Sequence, residues 1–256
     1  MLSYTYVGDH MKVKTIYLLI LTVILITFCV ILYSSFSNIT ARTASDEIDD
    51  QPTIVIDAGH GGEDGGAEVD GVLEKDINLS IANKLSDILR LCGYRVTEIR
   101  DEDISVYEDG AESLRDKKVS DLKRRVKIVN ESENNILVSI HQNKFENSTY
   151  SGAQIFYSTN HQNSRELAED IRSAVVSLLQ NDNTRELKPA GSDIYLLDHA
   201  TVPAVIVECG FLSNDEERSL LIGDGYHSEM AYSIAMGVVE YLNSIEIATA
   251  PKGASQ

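Results

Sequence analysis

The stretch Thr53-Ile-Val-Ile-Asp-Ala-Gly-His-Gly-Gly-Glu-Asp-Gly-Gly66 decides how this chain is interpreted. Its first half is a short apolar run, typical of a buried strand, and its second half is a glycine-rich turn that presents His60. A carboxylate, Glu74, follows 14 residues later, and a second histidine, His141, ends the apolar run that begins at residue 136. Two imidazoles and one carboxylate form a ligand set that leaves zinc a fourth position for water. The pattern therefore indicates a zinc hydrolase.

The sequence around this stretch alternates short apolar runs with amphipathic segments, while residues 101–118 are charged and irregular. Continuous apolar strands that alternate with amphipathic helices are typical of an α/β sheet covered on both faces. We therefore predict a single α/β domain with a mostly parallel twisted sheet flanked by helices on both faces. The predicted strands are 53–57, 94–99, 136–140, 154–157, 194–197 and 204–207, and the predicted helices are 75–92, 121–133, 164–179 and 226–245.

Four candidate functional groups fall where predicted strands end or helices begin. His60, His141 and Glu208 each follow a predicted strand, and Glu74 lies just before the helix that starts at residue 75. In an open α/β sheet, functional residues collect at this edge. A hydrolytic zinc site also needs a general base, so one of the four is expected not to be a ligand. Glu208 is the natural base, because the apolar run before it predicts a surrounding that raises its pKa.

Several nearby residues have two interpretations. Asp57 and Asp64 could each accept a hydrogen bond from a ligand histidine, or could cap a turn. His199 could reach a substrate, although a plain loop histidine is the simpler interpretation. A phosphate-binding loop over 59–66 is disfavoured, because Asp64 stands at the last glycine position of the G-x-G-x-x-G pattern. We interpret His10, His161 and His227 as surface residues and the basic cluster 117–125 as a solvated helix face.

An apolar segment precedes the predicted domain. Residues 16–33 (IYLLILTVILITFCVILY) contain no charged residue, and a helix of this length could cross about 30 Å of hydrocarbon. Lys12 and Lys14 precede it, and the flank after it becomes acidic. The positive-inside rule then predicts a cytoplasmic N-terminus over 1–15, a transmembrane helix over 16–33 and an extracytoplasmic domain. The alternative is a cleaved signal sequence and secretion, but the apolar region of such a signal usually spans only ~7–15 residues.

Composition divides the remainder of the chain. Residues 34–51 are polar and then acidic, with little to bury, which predicts a linker. The predicted catalytic domain spans 52–245, and 246–256 is a predicted flexible tail. Two cysteines follow the linker, Cys92 and Cys209. Each lies in a predicted apolar element, which favours two buried thiols, with a disulfide pair as the alternative.

The chain is acidic, with a net charge of −18. From residue 51 onward, 19 Lys and Arg residues stand against 35 Asp and Glu residues, a net charge of −16. Like charges repel, so this balance argues against unaided binding of nucleic acid or another anionic polymer. We therefore predict no nucleic-acid partner.

Four motifs carry a resemblance to a known family: Asp57-x-Gly-His-Gly-Gly-x-Asp64, Glu74-Lys-Asp-Ile-Asn-Leu79, Ser139-Ile-His-x-Asn143 and Val207-Glu-Cys-Gly-Phe-Leu-Ser-Asn214. In this order, over about 53–242, they resemble the zinc-dependent N-acetylmuramoyl-L-alanine amidases of bacterial cell walls. The resemblance implies zinc ligands at His60, Glu74 and His141 and a catalytic carboxylate at Glu208. The sequence departs from the commonest family pattern at Gln142 and Cys209, which we interpret as affecting substrate fit.

The resemblance also implies a substrate, a setting and partners. The substrate is peptidoglycan, cut between the muramic lactyl group and L-alanine. The basic cluster 117–125, the short domain and the single N-terminal span are similar to the spore-cortex members of the family, in which this cleavage prepares muramic-δ-lactam formation. We expect an envelope location, such as the space between the forespore membranes, set by the membrane helix or by an accessory activator or localising protein. The alternatives are a catalytically inactive wall-binding scaffold and a zinc peptidase of different bond specificity.

Overall fold

The computed structural model describes residues 51–249 except 109 and 111, together with the isolated residues 22 and 27. The predicted N-terminal segment 1–15, nearly all of the predicted span 16–33 and linker 34–51, and the tail from residue 250 onward lie outside the described residues. Among the helices of the described part, none is both long and apolar enough to cross a membrane.

The described residues form eight strands and six helices. The strands are β1 (Thr53–Ala58), β2 (Glu68–Val69), β3 (Val72–Leu73), β4 (Arg95–Glu98), β5 (Asn135–Asn143), β6 (Gln154–Tyr157), β7 (Lys188–Pro189) and β8 (Ala204–Phe211). The helices are α1 (Glu74–Leu91), α2 (Leu114–Val129), α3 (Ser164–Leu178), α4 (Tyr195–His199), α5 (Asp215–Leu221) and α6 (Asp224–Thr249).

Six of these strands build one sheet in the order β4-β1-β5-β8-β6-β7. The pairs β1–β4, β1–β5, β5–β8 and β6–β7 are parallel, and only β6–β8 is antiparallel. The described residues from Pro52 to Thr249 belong to one compact unit. The predicted α/β domain with a mostly parallel sheet is therefore confirmed.

Each face of the sheet is covered by different helices. Alternate side chains of the central strands, such as Ile54 and Val138, pack with buried residues of α1, α3 and α6. Their neighbours, such as Val55 and Leu137, pack with residues of α2 and α4 on the other face. Because both faces are buried, the central strands are apolar throughout rather than alternating.

The last helix, α6, closes the larger core. Met230, Ile234, Val238 and Tyr241 are fully buried against the sheet side that carries α1 and α3. Gly237 lies so close to α3 that an added Cβ would stand 2.4 Å from Ile171 Cα. A side chain at this position would therefore force the two helices apart.

Two predicted elements are wrong. The predicted strand 194–197 is the short helix α4, whose Leu196 and Leu197 are buried. An apolar run of four residues does not distinguish a strand from a helix by periodicity. Helix α2 begins at Leu114, within the region predicted to be irregular, because the Ser113 side chain accepts a hydrogen bond from the Asp116 amide at 3.1 Å and caps the helix.

Two smaller features differ from expectation. The hairpin β2–β3 was not predicted, although Asp70 and Gly71 have positive φ angles of 52° and 79° at its turn, a typical two-residue hairpin signal. Cys92 is exposed at the end of α1, whereas Cys209 is buried, and both thiols are free. The prediction of two buried thiols is therefore correct only for Cys209, and the disulfide alternative is wrong.

Candidate metal centre

The sheet brings three of the four candidate residues to one edge. His60 lies two residues beyond β1, and the neighbouring strand β5 carries His141 near its carboxyl end. Glu208 is the direct register partner of His141 on the next parallel strand, β8. Parallel strands end at the same edge, so their terminal polar side chains meet there.

Glu74 completes the cluster from the first turn of α1. Its side chain is 4% exposed, with Oε2 3.2 Å from His60 Nε2 and Oε1 2.9 Å from His141 Nδ1. Burial raises the pKa of Glu74, but the two histidines outweigh it and hold that pKa well below its ordinary value. The structure places Glu74 inside the helix rather than in the predicted loop before it.

The three side chains are spaced for one metal ion. One ligand atom from each of His60, Glu74 and His141 lies within 4.8 Å of the others. Atoms that share a tetrahedral zinc ion at about 2.0–2.1 Å lie roughly 3.3 Å apart, close to the two contacts of Glu74. The two imidazole rings stand edge to face at a centroid distance of 5.0 Å. The donor set and its geometry therefore fit a divalent metal ion.

Two glycines make room for this cluster. An added Cβ at Gly59 would lie 2.3 Å from the His141 ring, and one at Gly66 would lie 2.6 Å from Glu74 Oε2 and 2.7 Å from His60 Cδ2. Gly66 also has a φ of +68°, which disfavours a side chain. Gly59 and Gly66 of the opening stretch are thus required by their close approach to the ligands.

Asp64 orients His60 from the side away from Glu74. Its Oδ2 lies 3.0 Å from His60 Nδ1, which leaves Nε2 for a metal ion. Burial lowers the pKa of His60, but the hydrogen bonds and charges of Asp64 and Glu74 outweigh it and raise that pKa to about 9. Asp57 has a different role. Its carboxylate accepts hydrogen bonds from Arg125 and, at 2.6 Å, from Ser139 Oγ rather than from a ligand histidine.

Glu208 carries an unpaired carboxylate oxygen. Its Oε2 is buried and has no hydrogen-bond partner among the residues that the structure describes. Burial raises the pKa of Glu208 to about 7, with further influence from His141, Glu74 and His60. A buried oxygen without a protein partner, beside three ligand groups, is suited to a water molecule or substrate proton.

Two residues beneath the cluster were not singled out as supports from the sequence. Asn78 Nδ2 donates to Glu74 Oε1 at 3.2 Å and to the Gly59 carbonyl at 3.1 Å. The backbone N–H of Gln142 donates to the same Glu74 oxygen at 3.1 Å, and the side-chain Nε2 of Gln142 donates to Asn78 Oδ1. Gln142 is 3% exposed and Cys209 is fully buried, so their interpretation as residues of substrate fit is wrong. The one-turn spacing of Glu74 and Asn78 in α1 was the available signal.

Outside His60 and His141, the histidines of the part that the structure describes do not join the cluster. His199 ends α4, and its ring stacks on that of Tyr195 with the centroids 4.0 Å apart. Its backbone carbonyl accepts a hydrogen bond from the side chain of Asn130, which lies beyond the end of α2. Asn130 precedes β5, so His199 lies at the opposite edge of the sheet from His141. His227 is buried and binds Ser80 Oγ and the Leu221 carbonyl, which contradicts its interpretation as a surface residue.

The basic cluster 117–125 is not a plain solvated face. Lys117 lies 2.9 Å from Glu63 and Lys118 lies 3.5 Å from Asp64, so both contact the turn that carries His60. Arg125 is 3% exposed and reaches beneath the same turn. The interpretation failed because a basic helix residue gives no sequence signal for a distant buried partner.

Comparison with known proteins agrees with this geometry. A family model described as N-acetylmuramoyl-L-alanine amidase matches residues 54–240. The chain belongs to the N-acetylmuramoyl-L-alanine amidase family. The amidase is 36% identical over 188 residues to the germination-specific N-acetylmuramoyl-L-alanine amidase of Bacillus subtilis, covering 73% of this chain and 78% of that protein. The predicted family and enzyme class are therefore confirmed.

Two solved structures share the fold of this amidase. The CwlD amidase from Clostridioides difficile, in complex with the GerS lipoprotein, has a TM-score of 0.73 and 41% identity over 76% of this chain and 100% of that chain. An N-acetylmuramoyl-L-alanine amidase from Clostridium difficile 630 has a TM-score of 0.66 and 31% identity over 77% and 99%.

Proposed function

We propose that this amidase hydrolyses the amide bond between N-acetylmuramic acid and L-alanine in peptidoglycan, with zinc held by His60, Glu74 and His141. The single observation that carries the proposal is the convergence of these three donors beside the unpaired Glu208 Oε2. Membership of the amidase family supports the choice of bond. The donor set supports zinc as the metal, because two imidazoles and a carboxylate are a common catalytic zinc set.

The protein groups divide the remaining work. When bound, zinc supplies a nucleophilic water near neutral pH and polarises the substrate carbonyl. Glu208 accepts a proton from the attacking water while the oxygen of that water adds to the carbonyl carbon of the substrate. The same carboxyl group then delivers that proton to the alanine nitrogen as the C–N bond breaks. A carboxyl pKa of about 7 suits both transfers at neutral pH. Asp64 keeps the His60 ring oriented through Nδ1.

We place this activity in maturation of the spore cortex, where the cleavage prepares muramic-δ-lactam. The similarity to a germination-specific amidase and to CwlD supports this setting. We extend the proposal to a membrane helix over 16–33 with the domain on the extracytoplasmic side, and to an accessory protein, since the CwlD amidase was solved with the GerS lipoprotein. A mutant lacking the chain is expected to form spores whose cortex contains no muramic-δ-lactam, as measured by muropeptide analysis.

The first test combines metal content with product analysis. The full-length chain is purified in detergent, its bound zinc is quantified, and it is incubated with peptidoglycan before mass spectrometry of the products. We expect about one zinc per chain and free stem peptides that begin with L-alanine. Zinc binding with cleavage of a different bond would contradict the proposed specificity, and cleavage by zinc-free protein would contradict the proposed cofactor.

Two variants separate the proposed roles. Glu208→Gln is expected to retain zinc and lose about 10²–10⁴-fold in turnover, the usual range for removal of a general acid–base. His60→Ala is expected to lose both zinc and turnover. If Glu208→Gln lost zinc as completely as His60→Ala, the division between base and ligand would be wrong.

A further inference from the structure

Side chains from elsewhere in the chain hold the carbonyl groups of the turn that carries His60, in addition to the backbone hydrogen bonds of Gly59 with Ile140 and of Gly61 with Asp64. Five consecutive carbonyl groups, from Ala58 to Gly62, each accept a hydrogen bond from a side chain. The donors are Arg100 and Arg125 to Ala58, Arg100 and Asn78 to Gly59, Arg125 to His60, Ser105 to Gly61 and Lys75 to Gly62. All five carbonyl groups are thereby engaged by donors that lie outside the turn.

This support matters because the backbone of His60 is strained. His60 has a φ of +62°, in the left-handed region that a residue with a Cβ seldom adopts. Such a conformation persists only where the surroundings determine it. The two arginines contact the carbonyls on both sides: Arg125 Nη2 donates to the His60 carbonyl at 2.7 Å, and Arg100 Nη2 donates to Gly59 at 3.0 Å.

The side chains of both arginines are buried where they contact the turn. Arg100 is 2% and Arg125 is 3% exposed. Arg125 is balanced by Asp57 and by Asp121, at 2.6 Å. The side-chain hydrogen bonds of Arg100 go to backbone carbonyls, including Ala58 at 2.8 Å. A buried cation needs compensating contacts, and the carbonyl oxygens of the turn supply them.

The Arg125 contacts also connect the two halves of the cluster. Asp57, which binds Arg125, accepts a hydrogen bond from Ser139, two residues before His141 on β5. The turn with His60 and the strand with His141 therefore share one buried set of contacts, formed by Arg125, Asp57 and Ser139.

We propose that Arg125 and Arg100 are positioning residues for the metal ligand His60. They hold the carbonyls of 58–60 away from the cluster and so direct the imidazole toward Glu74. The inference rests on the proposed metal site. It assigns a purpose to two buried cations that neither bind the metal nor contact the reacting atoms.

The test measures metal affinity separately from stability. Zinc affinity of the full-length chain is determined by competition with a chromophoric chelator, and the absorption spectrum of Co²⁺-loaded protein reports ligand geometry. We expect Arg125→Gln and Arg100→Gln each to weaken zinc binding about 10–100-fold, as loss of an outer contact to a metal ligand typically does. Arg124→Gln, on the same helix and partly exposed, is the matched control and is expected to bind zinc as the wild type does.

Because Arg125→Gln leaves the buried carboxylate of Asp57 without its charged partner, that variant could unfold. The double variant Asp57→Asn with Arg125→Gln removes both charges, and we expect its melting temperature to recover while its zinc affinity does not. Arg100→Gln leaves no carboxylate stranded and gives an independent measurement. Arg125→Lys, which restores one donor, is expected to recover part of the zinc affinity.

Three outcomes would overturn the inference. The first is zinc affinity in both glutamine variants within threefold of wild type with an unchanged Co²⁺ spectrum. The second is zinc affinity that returns together with the melting temperature in the double variant, because the arginines would then support only the fold. Failure of the wild-type chain itself to bind zinc would instead overturn the metal site on which the inference rests, and the inference with it.

Discussion

The two halves of the metal cluster are built by different means. His141 and Glu208 lie on β5 and β8, where backbone hydrogen bonds between parallel strands fix their separation. His60 lies on a turn with a positive φ, and that turn is fixed by side chains from α1, α2 and the segment after β4. The strand half is fixed by main-chain hydrogen bonds between apolar strands, whereas the turn half depends on side chains of residues up to 67 positions away. We therefore expect the geometry of the turn half to be more sensitive than that of the strand half to substitution of side chains elsewhere in the chain.

The largest expected effect comes where the two halves touch. Gly59→Ala places a Cβ 2.3 Å from the His141 ring, so either the turn or the ring must move. We expect kcat/KM on peptidoglycan to fall at least about 100-fold, since a misplacement near 1 Å costs that much. Gly225→Ala, whose Cβ would meet nothing within 4 Å, is the control and is expected to retain activity. Wild-type activity in Gly59→Ala would show that the halves are less tightly joined than their contacts indicate.

The second prediction concerns protons in the turn half. His60 must lose its proton to bind a metal, and its pKa of about 9 lies above the ordinary value of 6.5. Zinc affinity is therefore expected to rise about tenfold per pH unit up to about pH 9 and to level off above it. Zinc titrations from pH 6.5 to 9.5 measure this, and Asp64→Asn should move the plateau to lower pH. A profile that is flat over this range would contradict the raised pKa.

A third prediction concerns stability in the strand half. Because burial raises the pKa of Glu208 from 4.5 to about 7, ionisation opposes folding, and stability is lost as the pH rises through this window. In zinc-free protein at pH 8, we expect Glu208→Gln to be more stable than wild type by about 1–3 kcal/mol. Denaturant unfolding at pH 8 and pH 5 measures the difference, which should shrink at pH 5. The exposed Glu131→Gln is the control, and an equal gain there would remove the assignment to Glu208.

The smallest effect is expected on the surface of the turn half. Lys118 lies 3.5 Å from Asp64, but its side chain is 60% exposed, and exposed ion pairs contribute little. We expect Lys118→Met to change zinc affinity less than about threefold, compared with the larger loss for Arg125→Gln. Chelator competition on both variants measures the contrast. A loss for Lys118→Met as large as that for Arg125→Gln would show that exposed charge also holds the turn.

The same division explains what could be predicted from the sequence. The strands β1, β5 and β8 follow from continuous apolar runs, and the residues that end them were found because a sheet edge collects polar groups. The roles of Arg100 and Arg125 could not be predicted, because a hydrogen bond from a side chain to a distant carbonyl leaves no periodic pattern. Gln142 was misinterpreted for a related reason: its burial under Glu74 is visible only once α1 is packed on β5.

Helix α6 follows the other described elements in the sequence, and this order has a consequence for synthesis. This helix covers the sheet face that also carries α1 and α3, and Gly237 meets α3 nearly backbone to backbone. A nascent or truncated polypeptide that stops before Asp224 would expose to water the apolar surface that α6 covers, including buried residues of α1 and α3. Such a species is prone to aggregate. We therefore expect premature termination to yield insoluble material for proteolysis rather than a partly active hydrolase.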